Sequence, residues 1–176
     1  TLIRAGMLEL SGDSSISSNT LGEGAAGNVE IDSYDLRLND NSWITSLASL
    51  GATGRAGQVW VKVKGQAVLS DRSSILSSTF GPGDAGQVSV RAKMLNLLDV
   101  ARIDSSTYSS GNAGKVDVAA DRLHISGAHS NQDMGILSTT FAEGQAGSVT
   151  VKAGALRIDG AGSEHFIGIT SGSYPQ

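Results

Sequence analysis

Gly83-Asp84-Ala85-Gly86-Gln87-Val88 is one of five copies of a Gly-x-Ala-Gly-x-Val block, and the rest of the chain is spaced from these copies. The others are Gly24-Ala25-Ala26-Gly27-Asn28-Val29, Gly54-Arg55-Ala56-Gly57-Gln58-Val59, Gly111-Asn112-Ala113-Gly114-Lys115-Val116 and Gly144-Gln145-Ala146-Gly147-Ser148-Val149. From Gly27 to Gly57, Gly86, Gly114 and Gly147 the successive steps are 30, 29, 28 and 33 residues. A period of this size marks a solenoid or an array, and it takes precedence over any local reading.

The shortest interval serves as the unit. Val88-Ser89-Val90 alternates apolar and polar, as a strand does. Leu95 and Leu97 form a second apolar pair, Asp99 marks a turn, and Ile103 with Ser105 forms a third short run before the next block. Val29, Leu36, Leu38 and Ile44 keep the same spacing, with two extra residues between Ile44 and Gly57. One extra residue lies between Val63 and Ala67. Five enter before Ile136, in the stretch from Gly127 to Gly135, and five before Ile169, from Gly160 to Gly168. Leu8, Leu10 and Ile16 supply a first rung without a block of its own. Three short strands per rung, joined in one direction at constant period, cannot pair as hairpins. They pair with their counterparts one rung away, so the expected fold is an all-β parallel β-helix of about six rungs. Residues 1–176 read as one repeat segment, expected to be an internal fragment of a longer rod because the pattern is already running at Thr1-Leu2-Ile3. The glycine block is expected to form a corner, where small residues permit positive φ and close backbone approach.

Composition narrows the function. The chain has 176 residues, 23 of them glycine, no cysteine and a net charge of −4. That charge gives no long-range pull toward nucleic acid or an anionic membrane, and no apolar run approaches the ~20 residues of a membrane helix. Without cysteine there is no disulfide framework and no thiolate chemistry. Glycines are far from every third residue, which excludes collagen. No nucleophile elbow, phosphate loop or paired-histidine helix is present, so no catalytic residue, cofactor or metal site is expected.

In such a fold a site is a column of residues stacked across rungs. Asp40, Asp71 and Asp99, with Gly12 above and Gly127 and Gly160 below, could line up carboxylates for Ca²⁺. Alternation of Gly and Asp at one place is the mark of a left-handed turn, which is the reading adopted. Leu21, Phe80, Tyr108, Phe141 and Tyr174, with Leu47 or Leu50 for the second rung, form an aromatic column that is either a sugar platform or, as expected, packing. Ser18, Ser46, Ser77, Ser105, Ser138 and Ser171 form an inward hydroxyl ladder. The outward residues beside them are Ser17, Thr45, Leu76, Asp104, Leu137 and Thr170, not the flat threonine array of an ice-binding surface. Lys62, Arg91 and Lys152 share an outward column with Trp60 beside them, the best candidate contact for an acidic or sulfated glycan, although Asp32 and Ala119 interrupt it. The two five-residue insertions carry His129, Asp133, Glu164, His165 and Phe166 on loops that should lie side by side, where a repeat scaffold places recognition.

The five blocks, each followed by a Leu-x-Leu/Ile pair and Ile-x-Ser, resemble the haemagglutinin repeats of filamentous-haemagglutinin-like exoproteins. Ile75-Leu76-Ser77-Ser78-Thr79 and Ile103-Asp104-Ser105-Ser106-Thr107 are especially similar to that family's repeat. The resemblance implies a right-handed parallel β-helix, and a secreted or surface-exposed adhesin stalk of a Gram-negative bacterium, carried across the outer membrane by a two-partner secretion transporter. It also implies weak host-surface or glycan contact, while charge and hydropathy lead to the expectation of no nucleic-acid partner and no membrane insertion. The family's secretion domain, with its Asn-Pro-Asn motifs, has no counterpart: Asn39-Asp40-Asn41 contains no proline. The alternative is a carbohydrate-binding or polysaccharide-degrading β-helix module.

Overall fold

The computed structural model describes residues 1–127, 130, 132–160 and 162–174. It is a parallel β-solenoid with about six stacked turns and, among the described residues, no helix. Each turn contributes a long strand and a short one. The long strands are β1 (Leu2–Leu10), β3 (Val29–Leu38), β8 (Val88–Leu98), β10 (Val116–Ser126) and β12 (Val149–Asp159). In the third turn β5 (Val59–Val63) and β6 (Gln66–Leu69) take the place of one long strand, giving a seven-stranded sheet. The short strands are β2 (Ser15–Thr20), β4 (Trp43–Ala48), β7 (Ser74–Thr79), β9 (Arg102–Asp104), β11 (Met134–Thr140) and β13 (Ile167–Ser173), which form a six-stranded sheet. Every pairing is parallel, and each strand meets its counterpart one rung away.

The expected inward columns are the observed ones. Val29, Val59, Val88, Val116 and Val149 are register partners in sequence, and so are Ile16, Ile44, Ile75, Ile103, Ile136 and Ile169. In the middle rungs Val29, Val59, Val88, Leu36, Leu95, Ile44, Ile75 and Ile103 are fully buried, and they pack into a single continuous core. Removing the terminal methyls of such a residue costs roughly 2–5 kcal/mol, so the register is held from inside.

Three strands per rung become two because of a local bend. Val88 and Val90 point inward, and so do Leu95 and Leu97, although the four residues between the pairs would turn them to opposite faces in a regular strand. The ladder passes from Ala92↔Ala120 to Met94↔Arg122, stepping over Lys93 and Asp121, and the strand reverses its facing there without breaking. Only Lys64-Gly65, where the sequence carries its extra residue, separates the two halves into β5 and β6.

The glycine blocks do not use positive φ, contrary to expectation. The left-handed glycines are Gly12, Gly51, Gly135 and Gly162, none of them in a block. Close approach, the other half of the expectation, accounts for the blocks. A Cβ on Gly57, Gly86, Gly114 or Gly147 would come within 3.0 Å of the carbonyl oxygen of the equivalent glycine one rung before. The inward serine ladder occupies the same place. Ser77 Oγ donates to Gly57 O at 2.7 Å and accepts from Gly86 N at 3.0 Å. Ser46 does the same between Gly27 O and Gly57 N, at 2.9 Å each, and Ser105 between Gly86 O and Gly114 N, at 2.7 and 3.0 Å. Ser138 Oγ continues to Gly114 O at 2.7 Å. The hydroxyls therefore bond to glycine peptides rather than to one another, and Gly-x-Ala-Gly and Ile-x-Ser are two halves of one hydrogen-bonded chain along the rod. Ser46, Ser77 and Ser105 each satisfy two glycine backbone groups in the corner, outside the strand ladders.

Candidate functional site

The carboxylate column is a set of turns. Gly12-Asp13, Asp40-Asn41, Asp71-Arg72 and Asp99-Val100 each have both residues at positive φ, between 47° and 70°, as a type I′ turn requires. Asn41 Nδ2 donates to Asp13 Oδ1 at 2.6 Å and Ser70 Oγ to Asp71 Oδ2 at 2.8 Å. Gly127 and Gly160 do not extend this pattern, since neither has positive φ. Gly127 is small for another reason: a Cβ there would meet the Ile167 side chain. Among the described residues no group of three or more acidic, histidine or cysteine side chains could hold a metal.

The aromatic column is a stack. Phe80 and Tyr108 lie 4.6 Å apart at 6°, Tyr108 and Phe141 5.0 Å apart at 9°, and Phe141 and Tyr174 6.3 Å apart at 28°. Phe80, Tyr108 and Phe141 cover one another's facing sides, so the inner rings offer edges and not faces to solvent. Neither Leu47 nor Leu50 holds the second-rung position. Ala48 pairs with Thr79, which puts Ser49 beside Phe80, and the ladder stops there. Leu21 is left 81% exposed beyond the gap.

Lys62, Arg91 and Lys152 do share an outward column of the seven-stranded sheet, in the order Asp32, Lys62, Arg91, Ala119, Lys152. All three cations are exposed and, among the described residues, none is in an ion pair. Trp60 stands in the adjacent column, between Glu30 and Ser89. Arg91 and Lys152 are two rungs apart, about 10 Å, over Ala119. The surface is open and alkyl-floored, with Ala92, Ala120, Ala153 and Gly154 around it.

The two insertion loops lie side by side, and they hold each other. Asp133 Oδ1 accepts from Phe166 N at 2.9 Å, and Ser163 Oγ donates to Ser130 O at 3.3 Å. His165 Nδ1 stands 3.8 Å from Asp133 Oδ1 with both side chains about half exposed, and Glu164 points into solvent. Asp133 is thus occupied in fixing the neighbouring loop's backbone. Arg102 Nε, reaching from the rung before, donates to Asp133 O at 2.8 Å. Phe166 remains 42% exposed. His129 lies outside the described residues.

A further feature lies on the outer face of the six-stranded sheet, in the rungs of β4, β7 and β9. A groove of about 360 Å³ opens there. One wall is Trp43 and Arg102, the other Phe80 and Tyr108, and the floor is Thr45, Leu76 and Asp104 with Leu47 and Ser78 beside them. Outward-facing residues of a sheet normally reach water. Here Asp104 is only 7% exposed, because Leu76 and Leu137 flank it in register and larger side chains rise on either side. Burial raises its carboxyl from an ordinary 3.8 to about 6, against the opposing effects of the Ser106 hydroxyl at 2.5 Å, the nearby Arg102 guanidinium and the Ser105 backbone. Tyr108 is raised as well, by burial first and then by the Asp104 charge. Thr45 Oγ1 is buried without any hydrogen-bond partner. Asp104 is the one carboxylate among the groove's described residues, so the arrangement offers no carboxylate pair.

The sequence displayed this column but not its character. Thr45, Leu76, Asp104 and Leu137 were legible as outward residues that form no threonine array, whereas their enclosure depends on side chains three rungs deep. Comparison with family models, curated proteins and solved structures returned no match to this chain.

Proposed function

We propose that the chain is a non-enzymatic stalk segment, a stiff spacer within a large secreted or surface-exposed exoprotein of the filamentous-haemagglutinin type. The observation that carries this reading is the constancy of the interior. Valine, leucine/isoleucine, isoleucine, serine and glycine columns repeat in register, while every insertion falls between strands. A fold of this kind gains length at a constant free energy per rung, and each rung depends only on its neighbours. The family and the setting, with export through an outer-membrane partner pore, rest on the likeness of the repeat.

Deletion of one whole rung tests the reading. Removing residues 58–86 joins Gly57 to Gln87 and preserves both ladders. The shortened protein should stay folded and lose about 4.8 Å of length in small-angle scattering. A chain that unfolds or collapses to another shape would show that the rungs are not interchangeable spacers.

A further inference from the structure

We propose that the groove between Trp43 and Phe80 on the six-stranded sheet binds a neutral sugar ring, which makes this face of the rod a recognition surface. The proposal stands on the groove and not on the stalk reading.

Three observations set the chemistry of the occupant. First, the backbone N–H and C=O groups of β4, β7 and β9 are committed within the sheet plane, so the floor presents side chains only. An extended peptide, which binds a sheet through main-chain hydrogen bonds at an edge, finds none here. Second, the side chains offered are hydroxyls (Thr45, Ser74, Ser78) and one carboxylate, interleaved with Leu47 and Leu76 and bounded by Trp43. This alternation of polar and apolar contacts matches a ring whose rim bears hydroxyls and whose faces bear C–H groups, a small polyhydroxylated ligand held by a few placed polar groups in an otherwise apolar cleft. Third, Asp104 and Arg102 bring opposite charges to the same groove, so the site selects neither anions nor cations. The exposed cations Lys62, Arg91 and Lys152, by contrast, stand on the other sheet.

Thr45 supplies a point of leverage. Its hydroxyl has no partner in the free protein, and a buried hydroxyl without one is unfavourable. Rotation about its single side-chain bond toward the groove would let a ligand hydroxyl satisfy it. The aromatic ladder ends at Phe80 because Ser49 follows it, and this break keeps the groove open toward the second rung.

The chain contains two tryptophans. In a Trp60→Phe background Trp43 alone reports. Cellohexaose, mannohexaose, xylohexaose and chitohexaose are titrated while Trp43 emission is followed, with a heparin hexasaccharide and an extended leucine-rich peptide as comparison probes. At least one neutral oligosaccharide should give a saturable blue shift, and heparin and peptide none. Thr45→Val should weaken that binding roughly 3- to 10-fold while raising the melting temperature, since it removes an unpartnered hydroxyl at constant shape. Trp43→Ala, followed by calorimetry, should abolish it. Absence of a response to all four neutral probes overturns the proposal. So does a response to heparin or to the peptide alone, or a Thr45→Val protein that is less stable and binds unchanged.

Discussion

The two sheets of this solenoid share one interior and have unlike exteriors. Outside the seven-stranded sheet stand Lys62, Arg91, Lys152 and Arg37, exposed over small residues and mostly unpaired. Outside the six-stranded sheet, outward positions such as Ser78, Asp104, Ser106 and Thr139 are as buried as core residues. The inward columns are nearly the same in every rung because a register slip would turn each of them toward water. Outward columns carry no such constraint, so the rungs are free to differ there. On a repeat scaffold, function is therefore to be sought where an outward column departs from solvation, as the six-stranded sheet does around Asp104.

Substitutions rank the three environments. The largest effect belongs to the shared interior: Gly86→Ala drives a methyl into the Gly57 carbonyl, and denaturant unfolding should show a loss of roughly 3 kcal/mol or more. Ser77→Ala removes the partner of both Gly57 O and Gly86 N, and should cost about 2–4 kcal/mol by the same measurement. Next comes the enclosed outer face. The folded-state pKa of Asp104 is raised, so the protonated form is favoured on folding. Its contribution to stability is fully present below about pH 4 and is lost as pH rises through about 6. Asp104→Asn should thus raise stability by on the order of 2 kcal/mol at pH 8 and leave it nearly unchanged at pH 4. The smallest effect belongs to the open face. Lys62→Glu with Arg91→Glu should shift stability by only about 0.5 kcal/mol, as is usual for solvated surface charges, and heparin retention should stay the same. A marked drop in heparin retention would instead make the open face a glycan surface and reverse the contrast between the sheets.

The interior was legible in the sequence because it follows from periodicity alone. Ile16 through Ile169 and Val29 through Val149 align by counting, and the extra residues at Lys64-Gly65 and around Gly51 were located the same way. The merging of two strands into one was not legible, because a one-residue reversal at Lys93 leaves the same apolar spacing as a turn. Of the two readings the glycine blocks invited, positive φ and close backbone approach, the space beside the neighbouring rung's carbonyl decides for the second. Asp104 looked like one more polar residue next to Ser105. Its burial is a property of Leu76, Leu137, Trp43 and Tyr108 acting together, and no local pattern records that.

Direct titration of the Asp104 carboxyl by carbon-13 NMR tests the difference between the two faces most simply. If the outer face of the six-stranded sheet is an enclosed groove, the midpoint falls near 6. A midpoint at an ordinary aspartate value, about 3.9, would mean that water reaches this face freely and that it is no more a site than its opposite.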